Sequence, residues 1–563
     1  MVNNITILMG GIQGEGVVSA GINLMKTLSK LGYYTYGCRS FSSRIKGGNN
    51  TITLHASTEK ILCIPDKSDI IIAFDDETIP QNIDKLKEDG LILYDSTLKD
   101  DGYKDYKSTP LPMTEIAKTA GSTIMKNTCG MAFIGRILGI DRLIFEESIK
   151  EKYAKKADSI ITQNLKALEL VYNHSIDIQM DHLILTGGDG FSRPLMIGNE
   201  AIALGALMAE CRFMAAYPIT PASEIMEYLG NLLPRYGGVM MQVEDEIAAV
   251  NMVIGASYAG TRAITATSGP GLSLMQEGIG LASMTETPLV IVDSQRVGPS
   301  TGLPTKHEQS DLYSLYYGGH GEYPSIILAP ASVEDCYYDT IRAFNLADEY
   351  QCPVIILSDL SLSLSPQTID PLTYNEDIIN RGKLMDKGRE NFEAFSFTED
   401  GISQRVLPGT VGGEHHVTGL EHNQLGLPSN DSVNRRKMMD KRFKKIQPLE
   451  SLQEVCLTKN HKESVLLLTF GSNYGIVKEA VELAGNKYDY GYIKVIKPLP
   501  KDQLKDLLDT YKKVIIIENN FHGQLAKIII GQLGYKDKIS SIHKYDGSPF
   551  TPFEILEELG GLI

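Results

Sequence analysis

The chain has 563 residues, 42% hydrophobic and 22% charged, with a formal net charge of −16. Those proportions suit an ordinary soluble globular protein of about three or four domains, each able to bury its own core. The acidic balance argues against nonspecific nucleic-acid binding, no apolar run is long enough to span a bilayer, and the opening residues Met1 to Ile5 lack the order of a signal peptide, so a cytoplasmic location is expected.

Asn4 to Met9 reads as a strand, Gly10 to Gly16 as a glycine-rich turn and Val17 to Leu31 as a helix. The apolar runs Ile70 to Phe74 and Leu91 to Tyr94 read as buried parallel strands between amphipathic helices, which favours an open α/β sheet. Gly11, Gly14 and Gly16 let an anion approach backbone amides at a helix N-terminus, although a simple tight turn explains them equally well. Their spacing is not that of the dinucleotide fingerprint. Ser42 to Gly48 places cations beside a second glycine turn, which makes Ser43, Lys46 and Gly47 candidate phosphate contacts unless the segment is only a solvated basic loop. The polar stretch Tyr172 to Gly190 reads as a linker.

A second α/β unit runs from about Leu195 to Ser365, with strands expected at Phe213 to Ala216, Arg262 to Thr267, Leu289 to Asp293 and Pro353 to Leu357. After the first of these come Tyr217, Pro218, Ile219, Thr220 and Pro221. The two prolines stiffen the turn around the Thr220 hydroxyl, so its polar groups are presented to a ligand. Glu244, Asp245 and Glu246 follow, and each could merely complement a helix N-terminus. Glu246 directly precedes a helical stretch rich in small residues and is the one chosen to reach an aromatic nitrogen of a cofactor in a dry cleft. The pattern suggests half of a thiamine diphosphate site. Its diphosphate half needs Gly-Asp-Gly with a downstream Asn to hold a divalent metal. After Gly188-Asp189-Gly190 the next asparagines, Asn199 and Asn231, do not fit that spacing, so the metal is assigned to another subunit and none to this chain.

Ser268 and Gly269 follow the next strand and open a helix, lining the same cleft or simply making a glycine-proline turn. Arg296 and Lys306 lie beyond a further strand end, where ligands of open α/β sheets gather; either cation could hold a substrate carboxylate or a surface acid. From about Pro366 to Glu454 the pattern weakens into a long irregular insertion. Strands resume at Val465 to Phe470, Tyr492 to Ile496 and Val514 to Ile517. The expected boundaries are therefore 1–185, 186–365, 366–455 and 456–563. The seven cysteines show no C-x-x-C pair, which argues against an iron–sulfur cluster held by this chain alone.

Taken in order, Gly10 to Gly16, Gly198-Asn199-Glu200-Ala201, Tyr217 to Pro221, Gly302-Leu303-Pro304-Thr305, Glu308-Gln309, Thr398 to Ile402, and Glu518-Asn519-Asn520 with Gly523-Gln524-Leu525 resemble the 2-oxoacid:ferredoxin oxidoreductase family. The resemblance covers nearly the whole chain and points to the alpha subunit with a gamma-type domain fused at its N-terminus. It implies a multidomain α/β protein: a gamma-type domain, a thiamine pyrimidine-binding domain and a transketolase C-terminal-like domain. It further implies thiamine diphosphate with Mg2+ shared with a beta subunit, which holds the metal and the iron–sulfur cluster, and coenzyme A as co-substrate. Ferredoxin or flavodoxin takes the electrons, and a two-alpha, two-beta assembly is expected.

Carried onto this sequence, Glu246 bonds the aminopyrimidine ring and Thr220 the substrate, with Tyr217, Pro218, Ile219, Pro221, Ser268 and Gly269 around the cofactor. Arg296 and Lys306 are the substrate-carboxylate candidates, although some relatives carry Arg where this chain has Lys306. Gly11, Gly14, Gly16, Ser43, Lys46 and Gly47 are the coenzyme A candidates. The fused order leans toward 2-oxoglutarate, with pyruvate or branched-chain acids left open. A thiamine enzyme without redox chemistry, such as a decarboxylase or a transketolase-like split enzyme, and a noncatalytic scaffold are the rival readings.

Overall fold

The computed structural model describes residues 2–40, 48–99, 103–176, 181–375, 378–459 and 465–562. They form two compact units, Met1–Met196 with Ser365–Leu372 and Thr551–Phe553, and Ile197–Leu364 with Thr373–Phe550 and Glu554–Ile563. Among the described residues no helix is long and apolar enough to cross a membrane.

The first unit is built on an eight-stranded sheet ordered Lys107–Leu111, Leu86–Asp95, Ser68–Ala73, Asn4–Ile12, Asn49–Ser57, Tyr34–Ser40, Gln367–Thr368 and Leu195–Met196. Its first four strands are parallel; three of them carry the expected runs Asn4 to Met9, Ile70 to Phe74 and Leu91 to Tyr94, whereas Lys107–Leu111 has no apolar run to announce it, and the remaining pairs are antiparallel. The sheet is thus mixed, because Tyr34–Ser40 and Asn49–Ser57 interleave polar with apolar residues and lack a continuous apolar run. The helix Val17–Lys30 starts behind Gly16, whose φ of 86° is the left-handed conformation a side chain resists. It buries Val17, Ala20, Leu24, Met25 and Leu28 against the sheet. Gly188-Asp189-Gly190 lies in a turn tied internally: Arg193 Nη2 donates to Asp189 at 2.7 Å, and the Arg193 guanidinium lies over the Tyr34 ring at 3.9 Å.

The second unit holds two sheets. The larger has seven strands in the order Val495–Lys497, Ile326–Leu328, Pro353–Asp359, Leu289–Gln295, Ala263–Thr267, Phe213–Ala216 and Val239–Gln242. All neighbours are parallel except Val495–Lys497, which runs antiparallel to Ile326–Leu328. The central strands Ala263–Thr267, Leu289–Gln295 and Pro353–Asp359 are buried along their whole length, as strands covered on both faces must be. The smaller sheet orders Val455–Thr458, Asp489–Ile493, Val465–Thr469, Lys513–Glu518 and Ile539–His543. The run expected as one strand from Tyr492 to Ile496 is divided between the two sheets. One apolar core, including Ile291, Ile327, Ile355, Leu468, Ile496 and Ile516, joins them.

Within the long insertion the sequence pattern hid the helix Ser432–Lys444, capped by Asp431, as well as the short strand Gln367–Thr368. The helix docks through charge. Lys441 Nζ donates to Glu286 Oε1 at 2.6 Å and Lys445 Nζ to Glu286 Oε2 at 3.1 Å, with all three side chains buried. The two lysines hold the Glu286 carboxyl down at about 2 despite burial, which alone would raise it.

Candidate active site

Four neighbouring parallel strands, Val239–Gln242, Phe213–Ala216, Ala263–Thr267 and Leu289–Gln295, end on the same edge of the seven-stranded sheet. The residues just beyond those ends are, in turn, Glu246, Tyr217 to Pro221, Ser268 with Gly269, and Arg296. The topology therefore brings together four sequence-distant segments at the carboxyl edge, where open α/β sheets collect ligands.

The three adjacent acids differ in role. Glu244 is exposed, Asp245 caps the helix Glu246–Tyr258 by accepting from the Ala248 amide at 2.7 Å, and Glu246 is buried with 6% of its surface accessible. Its carboxylate lies against the first turn of the helix Gly269–Met284 at Gly271. A Cβ on Gly271 would stand 2.5 Å from Glu246 Oε1 and 2.1 Å from Thr267 Oγ1, so only glycine leaves room for the acid there. Ser268, fully buried, directly precedes that helix, and its hydroxyl oxygen has no hydrogen-bond partner.

The turn Tyr217 to Pro221 is held from two sides. Asn199, at the start of the helix Gly198–Met208, donates to the Pro221 carbonyl at 2.7 Å and to Glu224 at 3.2 Å. Arg296 Nη1 donates to the Thr220 carbonyl at 2.6 Å. Tyr217, Pro218 and Thr220 are exposed, Ile219 is half-buried and Pro221 is buried, so the turn offers its outer side to a ligand while its base is anchored. Arg296 is 7% exposed, and burial lowers its guanidinium's proton affinity while nearby Asp311 opposes that shift; its Nε has no partner.

From Arg296 the chain loops out and returns. Val297 N–H donates to the Lys306 carbonyl at 3.1 Å, and Lys306 N–H to the Leu303 carbonyl at 3.0 Å. Lys306 itself lies beside Gly547, a Cβ on which would stand 3.1 Å from Lys306 Cβ. The return leg is pinned by Gln309, which donates to Asp359 at 2.9 Å and accepts from Asn473 at 2.9 Å, while its amide donates to the Asn519 carbonyl at 2.6 Å.

Sequence reasoning passed over two acids beneath this loop. Asp293, inside the strand Leu289–Gln295, is fully buried, and neither of its carboxylate oxygens has a partner. Asp311 follows the loop with its amide bonded to Gln295 Oε1 at 3.1 Å, and its carboxylate rests against Gly269, 2.6 Å from where a Cβ would sit. Burial and then the other acid raise the Asp293 carboxyl well above its ordinary range. Burial first, then Glu308, pushes Asp311 up to about 7. The only sequence signal was an acid directly after the apolar run Leu289 to Val292.

In the other unit Gly14 and Gly16, with φ of 92° and 86°, border a cavity of about 730 Å³ that Asn23, Lys26, Asn50 and Lys152 also line. Burial and the charge of Lys26 push the Lys152 amine down to about 8. Gly11 instead serves packing, since a Cβ there would meet Val17 at 2.7 Å and Phe74 at 3.1 Å. Ser43, Lys46 and Gly47 lie outside the described residues.

Three known families match in chain order. Residues 6–174 match pyruvate ferredoxin/flavodoxin oxidoreductase, residues 204–441 the thiamine diphosphate-binding region of pyruvate flavodoxin/ferredoxin oxidoreductase, and residues 464–555 core domain II of pyruvate:ferredoxin oxidoreductase. The alpha subunit of a 2-oxoacid:ferredoxin oxidoreductase from Sulfolobus sp is 34% identical over 98% of this chain and 96% of its own. The 2-oxoglutarate synthase subunit KorA of Archaeoglobus fulgidus is 39% identical over 65% of this chain and 98% of its own. Among solved structures, the 2-oxoglutarate:ferredoxin oxidoreductase from Magnetococcus marinus, with 2-oxoglutarate, coenzyme A and succinyl-CoA bound, is 36% identical, covers 100% of both chains and superposes with a TM-score of 0.93. The carboxyl-edge cluster and this whole-length similarity lead to one assignment: the chain belongs to the 2-oxoacid:ferredoxin oxidoreductase family, as an alpha subunit with a gamma-like domain at its N-terminus.

Proposed function

We propose that this alpha subunit, paired with a beta subunit, converts a 2-oxoacid, preferentially 2-oxoglutarate, and coenzyme A into acyl-CoA and carbon dioxide, with electrons passing to ferredoxin or flavodoxin. The observation that carries the substrate choice is the whole-length likeness to an enzyme with 2-oxoglutarate and succinyl-CoA bound. Bound thiamine diphosphate supplies the electron sink that lets a 2-oxoacid lose carbon dioxide. The residues of this chain suit that cofactor's ring. A buried carboxylate, Glu246, sits in a cradle that any side chain at position 271 would fill, and the buried Ser268 hydroxyl next to it lacks a partner.

In this reading the Glu246 carboxylate hydrogen-bonds the ring nitrogen in a water-poor cleft, where its charge acts strongly. The turn Tyr217 to Pro221 and Gly269 shape the walls. Thr220 offers its hydroxyl to the substrate's oxo or carboxylate oxygen. Arg296, already anchoring the turn through the Thr220 carbonyl, takes the substrate carboxylate, with Lys306 as the second cation. Mg2+ and the iron–sulfur cluster belong to the beta subunit, in an assembly of two alpha and two beta chains. Coenzyme A is assigned to the cavity beside Gly14 and Gly16, where Lys26 and Lys152 offer charge to its phosphates. The functional boundaries follow the sequence: a gamma-type domain at 1–185, a pyrimidine-binding domain at 186–365, an insertion at 366–455 and a transketolase C-terminal-like domain at 456–563.

The test is copurification with the native partner, followed by reduction of a low-potential viologen by several 2-oxoacids with and without coenzyme A and thiamine diphosphate. Coenzyme-dependent reduction preferring 2-oxoglutarate, lost in a still assembled Glu246→Ala complex, is expected. Decarboxylation without dye reduction, in a complex lacking a cluster, would replace it with a nonredox enzyme; no turnover with any acid would leave a scaffold.

A further inference from the structure

Asp293 and Asp311 are two buried acids that act on each other, and of the two it is Asp311 that feels the Arg296 guanidinium. Asp293 has both oxygens shut away from solvent and unpartnered, Asp311 has one such oxygen, and Arg296 has an unpartnered Nε. Among the described residues Arg296 forms no ion pair with either acid at contact distance, so its Nη1 is spent on a neutral carbonyl. An ionised carboxylate without hydrogen bonds in such surroundings is strongly disfavoured, so Asp293 is held as the neutral acid.

Asp311 differs, because its carboxylate lies at Gly269, the first residue of the helix Gly269–Met284, where amide dipoles favour negative charge. The charged and titratable groups around it are Glu308 on its own segment, and Asp293 and Arg296 on the strand Leu289–Gln295 and its exit. The helix Gly269–Met284 brings no acid in its first turn, and the neighbouring helix brings Glu246 at Gly271. Among these groups Arg296 is the one cation.

Resting on the assignment of Arg296 to the substrate, we propose that the Asp311 carboxylate competes electrostatically with the substrate carboxylate for Arg296, so that binding the anion draws one proton from solvent onto Asp311. The balance is simple. The free site carries ionised Asp311 opposite Arg296; the occupied site carries neutral Asp311, the substrate carboxylate and one proton taken from water. Asp311 is thus a positioning and specificity residue that tunes the grip on a carboxylate and transfers nothing to the reacting atoms. Its proton affinity, raised by burial and by Glu308, puts the exchange in the neutral range.

The experiment uses the intact complex with its partner subunit. KM for 2-oxoglutarate is measured from about pH 6 to about pH 9 for wild type and for Asp311→Asn, which keeps the shape and removes the charge. Wild-type KM should climb with pH above the neutral range, approaching about tenfold per pH unit, the limit for one linked proton. In D311N it should stay low and flat; an unaltered pH slope there overturns the proposal. Calorimetry of the wild-type complex with glutarate, an unreactive dicarboxylate, in two buffers of different ionisation enthalpy gives a second readout that needs no variant. Uptake of a fraction of one proton supports the linkage, and zero uptake refutes it. Arg296→Ala separates the failures. Unchanged KM there removes Arg296 from the substrate site, whereas raised KM there combined with an unaltered slope in D311N removes only the proton linkage.

Discussion

Replacing Gly271 by alanine tests the placement of Glu246 more sharply than replacing the acid itself. The added Cβ would stand 2.5 Å from Glu246 Oε1 and 2.7 Å from its Cγ, against ordinary contact that begins at 3.4 Å. The carboxylate therefore has to retreat by about 1 Å in a close-packed site, a misplacement that costs on the order of 10²-fold in rate. Overpacking adds about 1–3 kcal/mol of destabilisation, partly offset by the better helix propensity of alanine. Gly280 supplies the control, because it lies in the same helix with nothing within 4 Å of the added carbon. Glycine to alanine at that position should raise stability by about 0.5–1 kcal/mol and leave turnover unaltered. The assay is coenzyme A-dependent viologen reduction by the assembled complex at saturating 2-oxoglutarate, with thermal melting of both variants alongside. A folded, assembled G271A enzyme with wild-type kcat would refute the claim that the Glu246 carboxylate works where it now lies.

Two further outcomes follow from charges described above. Glu286→Gln removes the acid shared by Lys441 and Lys445 and leaves two buried ammonium groups facing each other, which should cost about 3–5 kcal/mol in a urea titration. Because the folded carboxyl is held down at about 2, the stability it contributes is present above its ordinary value of 4.5 and disappears as pH falls toward 2. A titration over that window should show a steep acid limb in wild type and a shallower one in E286Q; parallel limbs would count against the network. Asp245→Ala removes the cap on the helix that starts with Glu246, at about 1 kcal/mol, and a melting curve together with kcat should show both quantities fall.

Much of the carboxyl-edge cluster was legible because its physics is local. Pro218 and Pro221 stiffen a turn in sequence as they do in space, and a carboxylate at a helix start announces itself beside its capping Asp245. Continuous apolar runs likewise exposed most of the parallel strands. What escaped depends on partners far along the chain. Tyr34–Ser40 and Asn49–Ser57 are strands only because each finds an antiparallel neighbour, and Ser432–Lys444 is a docked helix whose buried side chains include lysine and arginine, so no apolar stripe marks it. The proximity of Asp311 to Gly269, and of Gln309 to Asn473 and Asn519, has no signature in spacing. Lys26 and Lys152 meet at one cavity for the same reason.

The short strand Val495–Lys497 closes one side of the sheet that carries the candidate site, although it arrives in the chain long after the other six strands. During synthesis, the row of amides and carbonyls on Ile326–Leu328 therefore stays uncovered until nearly five hundred residues have left the ribosome. For that interval the nascent protein presents a ready template for wrong pairing, and its yield in a cell depends on keeping that border apart from other chains until its own last strand is made.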